Sequence, residues 1–135
     1  MGVKSRLRAQ GVDHVILTIS NVKRSRAFYQ DVLGVTTETF EDGFLFRVNS
    51  TTIFCFPARA PIAGDVFDER RIGLDHLSFR APDQAALEAL ADRLRAAGSE
   101  SKGVETFGPT GALYVAFRDP DNIQLEYWLR PTAST

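Results

Sequence analysis

The sequence predicts an α+β fold of two βαβββ modules that together form a curved, incompletely closed mixed sheet of about eight strands around a cup. Three observations predict it. Gly11-Val12-Asp13-His14 reappears as Gly73-Leu74-Asp75-His76. Each copy runs on through a short apolar-rich segment, a helix-start signal and an amphipathic helix closed by glycine. The chain has only two histidines, and both occupy the same place in this repeat. On this reading module one covers 11–57, a linker covers 58–71 and module two covers 72–130, all within a single domain.

In module one, residues 12–19 are rich in β-branched side chains and read as a strand. Ser20 or Asn21 is placed to cap a helix by accepting backbone N–H bonds. Phe28 with Val32 and Tyr29 with Leu33 are one helical turn apart and share a buried face. Gly34 supplies a left-handed stop. Strands are expected at 36–40, 44–49 and 52–56, with turns at Glu41-Asp42-Gly43 and Asn49-Ser50.

In module two the first strand is expected at 74–80. Pro82-Asp83 opens a helix whose apolar stripe runs through Leu87, Leu90, Ala91 and Leu94, and Gly98 ends it. A strand is expected at 100–105. A hairpin of 113–118 and 123–129 turns on Asp119-Pro120-Asp121-Asn122, where proline presets φ and Asn122 tolerates a positive one. The stretch 57–71, with two prolines, Gly64 and many charges, joins the copies. Each half then has one sheet face covered by its helix and one left open. Two halves side by side enclose a hollow of the kind in which ligands bind.

Strand alternation assigns side chains to these faces. Val15, Leu17 and Ile19 pack on the helix, which leaves His14, Ile16 and Thr18 in the cup. Leu77 and Phe79 pack, and His76, Ser78 and Arg80 face the cup. Leu125, Tyr127 and Leu129 alternate with Gln124, Glu126 and Trp128, so Glu126 also points inward. Leu113, Val115 and Phe117 pack, while Tyr114 and Arg118 share the cup face. Two imidazoles and one carboxylate, His14, His76 and Glu126, therefore converge in this reading as ligands of one divalent metal ion. Fe(II), Mn(II), Zn(II), Co(II) and Ni(II) all suit such donors, with positions left for water and a small-molecule substrate. The metal would polarise substrate oxygens. Tyr114 is a candidate hydrogen-bond donor or proton carrier beside a catalytic Glu126, and Arg80 a candidate anion partner. Phe44, Phe46, Phe54 and Phe56 are candidates for an aromatic pocket wall, and Trp128 joins Phe54 and Phe56 as a substrate contact. Cys55 reads as a buried apolar filler.

Composition bounds the rest. Hydrophobic residues make up 44% and charged residues 24%, a globular balance rather than a disordered one. A net charge of -1 provides no broad positive field for nucleic acid or an anionic membrane. The N-terminal end is locally basic at Lys4, Arg6 and Arg8. It lacks a secretory apolar stretch, so a solvated end and a cytoplasmic location are expected. One cysteine excludes an internal disulfide and agrees with a reducing compartment.

The segments Val12-Asp13-His14-Val15, Ser25-Arg26-Ala27-Phe28-Tyr29-Gln30-Asp31-Val32-Leu33-Gly34, Leu74-Asp75-His76-Leu77 and Phe117-Arg118-Asp119-Pro120-Asp121-Asn122-Ile123-Gln124-Leu125-Glu126 carry a resemblance over about residues 11–130. The chain resembles the vicinal oxygen chelate (VOC) superfamily, the glyoxalase/bleomycin resistance protein/dioxygenase family. The resemblance implies two βαβββ modules and metal ligands from the first and last strands of each, positions that His14, His76 and Glu126 match. The fourth position falls within Phe54-Cys55-Phe56, which has no carboxylate. That speaks against glyoxalase I and methylmalonyl-CoA epimerase chemistry and for a three-ligand site like those of extradiol dioxygenases and fosfomycin-modifying thiol transferases. No histidine lies in 106–111, where ring-cleaving relatives carry one, and Asn122 replaces the glycine usual at the end of the Asp-Pro-Asp turn. The function implied is a metal-dependent dioxygenase, lyase or isomerase acting on a small oxygen-bearing substrate. The alternative is a metal-free antibiotic-binding protein of the bleomycin-resistance type. Relatives also imply a homodimer, with the site formed in one chain or between two.

Overall fold

The computed structural model describes residues 5–132. Lys4 of the basic N-terminal end therefore lies outside the described residues, while Arg6 and Arg8 are exposed. Module one consists of β1 (His14–Ile19), α1 (Val22–Phe28), a π-helical turn (Tyr29–Leu33), β2 (Glu38–Phe40), β3 (Gly43–Val48) and β4 (Thr51–Pro57). Module two consists of β5 (Leu77–Arg80), α2 (Gln84–Ala96), β6 (Glu105–Phe107), β7 (Ala112–Arg118) and β8 (Gln124–Leu129). The strands form two mixed sheets, ordered β1-β4-β3-β2 and β5-β8-β7-β6, which do not close into a barrel. In each sheet the first and last strands of the module pair in parallel, and the other pairs are antiparallel.

Local chemistry explains most boundaries. Asn21 caps α1, its Oδ1 accepting from Arg24 N at 2.9 Å, and Asp83 caps α2, accepting from Ala86 N at 2.9 Å. Such caps contribute about 1 kcal/mol each. The first helix does not stay α-helical to its end. Tyr29–Leu33 widens into a π turn, and Gly34 (φ 80°) and Val35 both donate to the Tyr29 carbonyl. The wider turn keeps Tyr29 and Val32 buried together. β5 begins at Leu77 rather than at residue 74, because the Gln124 side chain, not a strand neighbour, bonds the Asp75 carbonyl at 3.3 Å. The strand expected at 100–105 lies instead at Glu105–Phe107, since Gly103 (φ 74°) bends the chain ahead of it.

One continuous core holds both modules. Leu17, Ile19, Phe46 and Ile53 of the first sheet join Phe79, Val115, Phe117 and Leu125 of the second, with Tyr29, Leu87 and Leu94 from the helical segments. Each such side chain contributes about 1.5–3 kcal/mol by leaving water. The apolar faces of the two sheets share this core: the Phe46 and Phe79 rings, one from each sheet, lie 6.3 Å apart, and Phe28 of α1 lies 6.2 Å from Phe117 of β7. Phe44 and Phe46, candidates either for a pocket wall or for ordinary core packing, are fully buried in this core. The register Phe44↔Cys55 and Phe46↔Ile53 places them on the helix side of the sheet.

The turn at Asp119-Pro120-Asp121-Asn122 fastens the modules. Tyr29 donates its hydroxyl to Asp119 Oδ2 at 2.9 Å, and Ser20 N donates to Asp121 Oδ2 at 3.0 Å. The Ser20 hydroxyl and Arg24 also reach Asp121 Oδ1. Asp119 Oδ1 accepts from Asp121 N and Ile123 N, both at 2.9 Å, and Asn122 sits at φ 68°. The linker docks on the same turn: Phe67 N donates to the Asp121 carbonyl at 3.0 Å and Asn122 Nδ2 to the Phe67 carbonyl at 2.9 Å. Burial pushes the Asp119 carboxyl above the usual range, opposed by the N–H of Ile123, the Tyr29 hydroxyl and the N–H of Asp121. Among the described residues no helix is long and apolar enough to cross a membrane.

Candidate metal centre

His14 opens β1 and His76 immediately precedes β5, and each ring is held by the aspartate before it. His14 Nδ1 lies 2.8 Å from Asp13 Oδ1, and His76 Nδ1 lies 2.7 Å from Asp75 Oδ1. An ionised carboxylate only accepts, so Nδ1 carries a proton in each pair; Nε2 of His14 has no partner among the described residues, whereas Nε2 of His76 is turned to Glu126. This is the outer carboxylate–histidine arrangement that orients metal ligands. The Asp–His contacts are not assigned by strand alternation, although the Asp-His pair inside both repeats is their visible signal.

His76 and Glu126 come together. His76 Nε2 lies 2.5 Å from Glu126 Oε1, with the carboxylate more recessed than the ring. The parallel register Ser78↔Glu126 puts Glu126 on the open face beside His76. The equivalent pair in module one is Ile16↔Phe54, which makes Phe54 the counterpart of Glu126. Its ring stands edge-on to His14 at 5.9 Å. The position that the resemblance left open within 54–56 falls, by this register, at Phe54, which has no donor atom. Phe54 stacks with Phe56 at 5.6 Å and meets Phe40 at 5.3 Å, an aromatic surface around His14.

The other candidates distribute as follows. Tyr114 lines one hollow with His76 and Glu126, under the loop 99–102. Its ring stacks on Trp128 at 5.3 Å, and Trp128 touches Phe107 at 5.4 Å. Arg80 lies at the far end of β5 opposite Trp128 in register, is exposed, and makes no ion pair among the described residues. A second groove, lined by Ile62, Val66, Phe67 and Ile72 of the linker region, holds none of the candidates. Cys55 is fully buried, and burial pushes its thiol up to about 12, in keeping with a packing role.

His14 does not join His76 and Glu126 within the chain. Among the described residues no three His, Cys, Asp or Glu side chains are grouped so as to hold a metal ion. The expected three-way convergence is therefore not met in a single copy, and the reason is the shared core. Both sheets spend their apolar faces on it, so the open faces bearing His14 and His76 lie on its outer sides. The donor set nonetheless fits a divalent ion in chemistry: each imidazole has its Nδ1 secured by an aspartate, His14 Nε2 has no partner among the described residues, and His76 Nε2 and Glu126, which contact each other directly, are both donor types such ions take.

A family model described as Glyoxalase/Bleomycin resistance protein/Dioxygenase superfamily matches residues 11–127. The chain is 30% identical to a glyoxylase/bleomycin resistance protein/dioxygenase domain from Frankia sp. EAN1pec, with a TM-score of 0.83 over 94% of this chain and 96% of that one. It shares the fold of a lactoylglutathione lyase from Agrobacterium tumefaciens at 21% identity and TM-score 0.67, covering 90% of this chain and 94% of that one. It likewise shares the fold of a genomically encoded fosfomycin resistance protein from Listeria monocytogenes at 19% identity and TM-score 0.70, covering 93% and 97%. No curated protein matches the chain.

Proposed function

The chain belongs to the Glyoxalase/Bleomycin resistance protein/Dioxygenase superfamily, and from that premise we propose that it is a metal-dependent enzyme of the dioxygenase or lyase/isomerase type whose site is completed between two copies. His76 and Glu126 of one chain and His14 of a second would hold the ion. The observation that carries this reading is the pair of Asp-secured imidazoles, one of them 2.5 Å from Glu126. The need for a second copy is supported by the outward-facing position of His14 and by exposed Val12, Ile16 and Phe40 on and around its sheet. When bound, the ion would supply Lewis-acid polarisation of substrate oxygens. Tyr114 lies along the same hollow as Glu126, placed to donate a hydrogen bond or carry a proton. Glu126, recessed against His76, is placed to accept one. Phe54, Phe56 and Trp128 offer ring faces to an apolar part of the substrate, and Arg80 a charge to an anionic part. With three protein ligands instead of four, more of the coordination sphere is left to the substrate.

Metal analysis of protein purified without chelator tests this, together with thermal stability on adding Co(II), Zn(II), Mn(II) or Fe(II). The expected result is stoichiometric metal that is lost in His14→Ala and His76→Ala, with stabilisation of about 2.7 kcal/mol at a hundredfold excess over Kd. Metal-free protein indifferent to all four ions would overturn the reading in favour of a ligand-sequestering module. Mixing His14→Ala with His76→Ala should restore about a quarter of the metal sites if each site spans two chains of a twofold dimer, and none if it does not.

A further inference from the structure

We propose that Gln124, Arg118 and Glu69 are positioning residues, a hydrogen-bond relay that runs from the inter-module linker to the ring of His76. The proposal rests on the metal-site reading only for its effect on metal affinity; the relay itself is read from the geometry. Glu69 accepts from Arg118 through both carboxylate oxygens at 2.8 Å each, a bidentate fork that fixes the guanidinium plane. Arg118 Nη2 donates to Gln124 Oε1 at 3.0 Å. That bond sets the amide's orientation, because the reverse arrangement would put its NH2 against the guanidinium and its oxygen against a carboxylate. Gln124 Nε2 then donates to Asp75 Oδ1 at 2.8 Å, the same oxygen that accepts from His76 Nδ1 at 2.7 Å. The strand register makes the chain of contacts possible, since Arg118 and Gln124 face each other across β7 and β8 and Leu77↔Leu125 brings Gln124 beside the start of β5.

Module one lacks the device. The register His14↔Thr52 puts Thr52 where module two has Gln124, and the Asp13 carboxylate accepts from no donor other than His14 among the described residues; Thr52 reaches only the Asp13 backbone carbonyl, through its N–H at 3.0 Å. Its side chain is 93% exposed, against 64% for Asp75. The two half-sites are therefore unequal: His76 is set in place before any ligand arrives, whereas His14 is held by one exposed contact. The relay also gives the linker, through Glu69, a physical connection to the site.

Gln124→Met keeps the side chain's length and removes all three bonds of the amide, to Arg118, to the Asp75 carboxylate and to the Asp75 carbonyl. Co(II) titration of the full-length variant should show an affinity lower by about 3–10-fold, less than the roughly 10–100-fold usual for losing the direct outer partner of a ligating histidine, which here is Asp75. In the metal-free chain, NMR should show the His76 Nδ1–H losing its protection from exchange while the His14 ring nitrogens stay as in the parent. Glu69→Gln, a change in the linker, should move both readouts the same way by less, and it decides the matter if Gln124→Met fails to fold. A folded Gln124→Met with parental His76 Nδ1–H behaviour and affinity within about twofold would overturn the relay. Parent protein that takes up no Co(II) would overturn the metal reading instead, and the NMR comparison would still judge the relay.

Discussion

Tyr29→Phe removes one oxygen from a fully buried ring and leaves its packing against Phe44 and Phe46 intact. What disappears is the 2.9 Å bond to Asp119 Oδ2, leaving that buried carboxylate with only the two backbone donors on its other oxygen. A hydrogen bond to a charged group has a net value of about 1.5–3 kcal/mol, and an acceptor left unpaired in the interior adds to the loss. Stability at pH 7 should therefore fall by about 2–3 kcal/mol, read as a lower urea midpoint at unchanged slope. The pH dependence sharpens the test. Burial raises the folded-state pKa of Asp119 above its unfolded value, so its protonated form stabilises the fold at low pH, and that contribution is lost as pH rises through the folded value. The Tyr29 hydroxyl favours the ionised form, so removing it raises the folded pKa further. The variant's deficit should then be largest near neutrality and shrink on acidification toward the about 0.5–1.5 kcal/mol of a neutral bond. A loss below about 0.5 kcal/mol at pH 7, or a deficit that grows as pH falls, would refute the reasoning.

Further outcomes follow from other sites. In Gly43→Ala the new Cβ would lie 2.0 Å from the Cys55 carbonyl oxygen and 2.8 Å from Cδ1 of Phe56. The strain should cost about 1–3 kcal/mol or more, and equilibrium unfolding measures it. Cys55, buried with its thiol pushed up to about 12, should react with a thiol reagent at pH 8 only at the rate of unfolding; labelling kinetics with and without denaturant check this. Asp75→Asn should weaken Co(II) binding by on the order of 10–100-fold with little change in melting temperature, measured by titration and thermal scan. Glu69, whose carboxyl the Arg118 guanidinium pulls down from 4.5 to about 2, should keep its linker contact between those pH values. Its stabilising effect is present above the unfolded carboxylate's range and lost as pH falls through about 2, which carboxyl NMR titration reports.

The fold was legible because the same short string opens both modules and period-two alternation assigns their faces. Leu17, Ile19, Phe79, Val115 and Leu125 are all buried as that alternation requires. The pairing of His76 with Glu126 was legible for the same reason, since both lie on the polar set of their segments. The direction in which each module turns its open face was not. That depends on whether the helices and apolar faces pack between the sheets or outside them, and alternation within a strand is identical in both cases. The phenylalanines show the same limit. Phe54 and Phe56 flank Cys55 and so leave the core, but the placement of Phe44 and Phe46 in the core follows from cross-strand register, which a single strand does not encode. The relay behind His76 joins residues 69, 75, 118 and 124, distant in sequence and individually ordinary.

The turn at 119–122 receives Tyr29 and Ser20 from one module and Phe67 from the linker, all while belonging to the other module. A chain laced in this way cannot swing one half out and lend it to a neighbour without breaking a buried carboxylate's bonds. Any pairing of two copies through their outer faces is then association of finished rigid bodies rather than an exchange of halves. Dilution should release folded monomers, and partners in a mixed population should trade at the pace of dissociation, far faster than global unfolding.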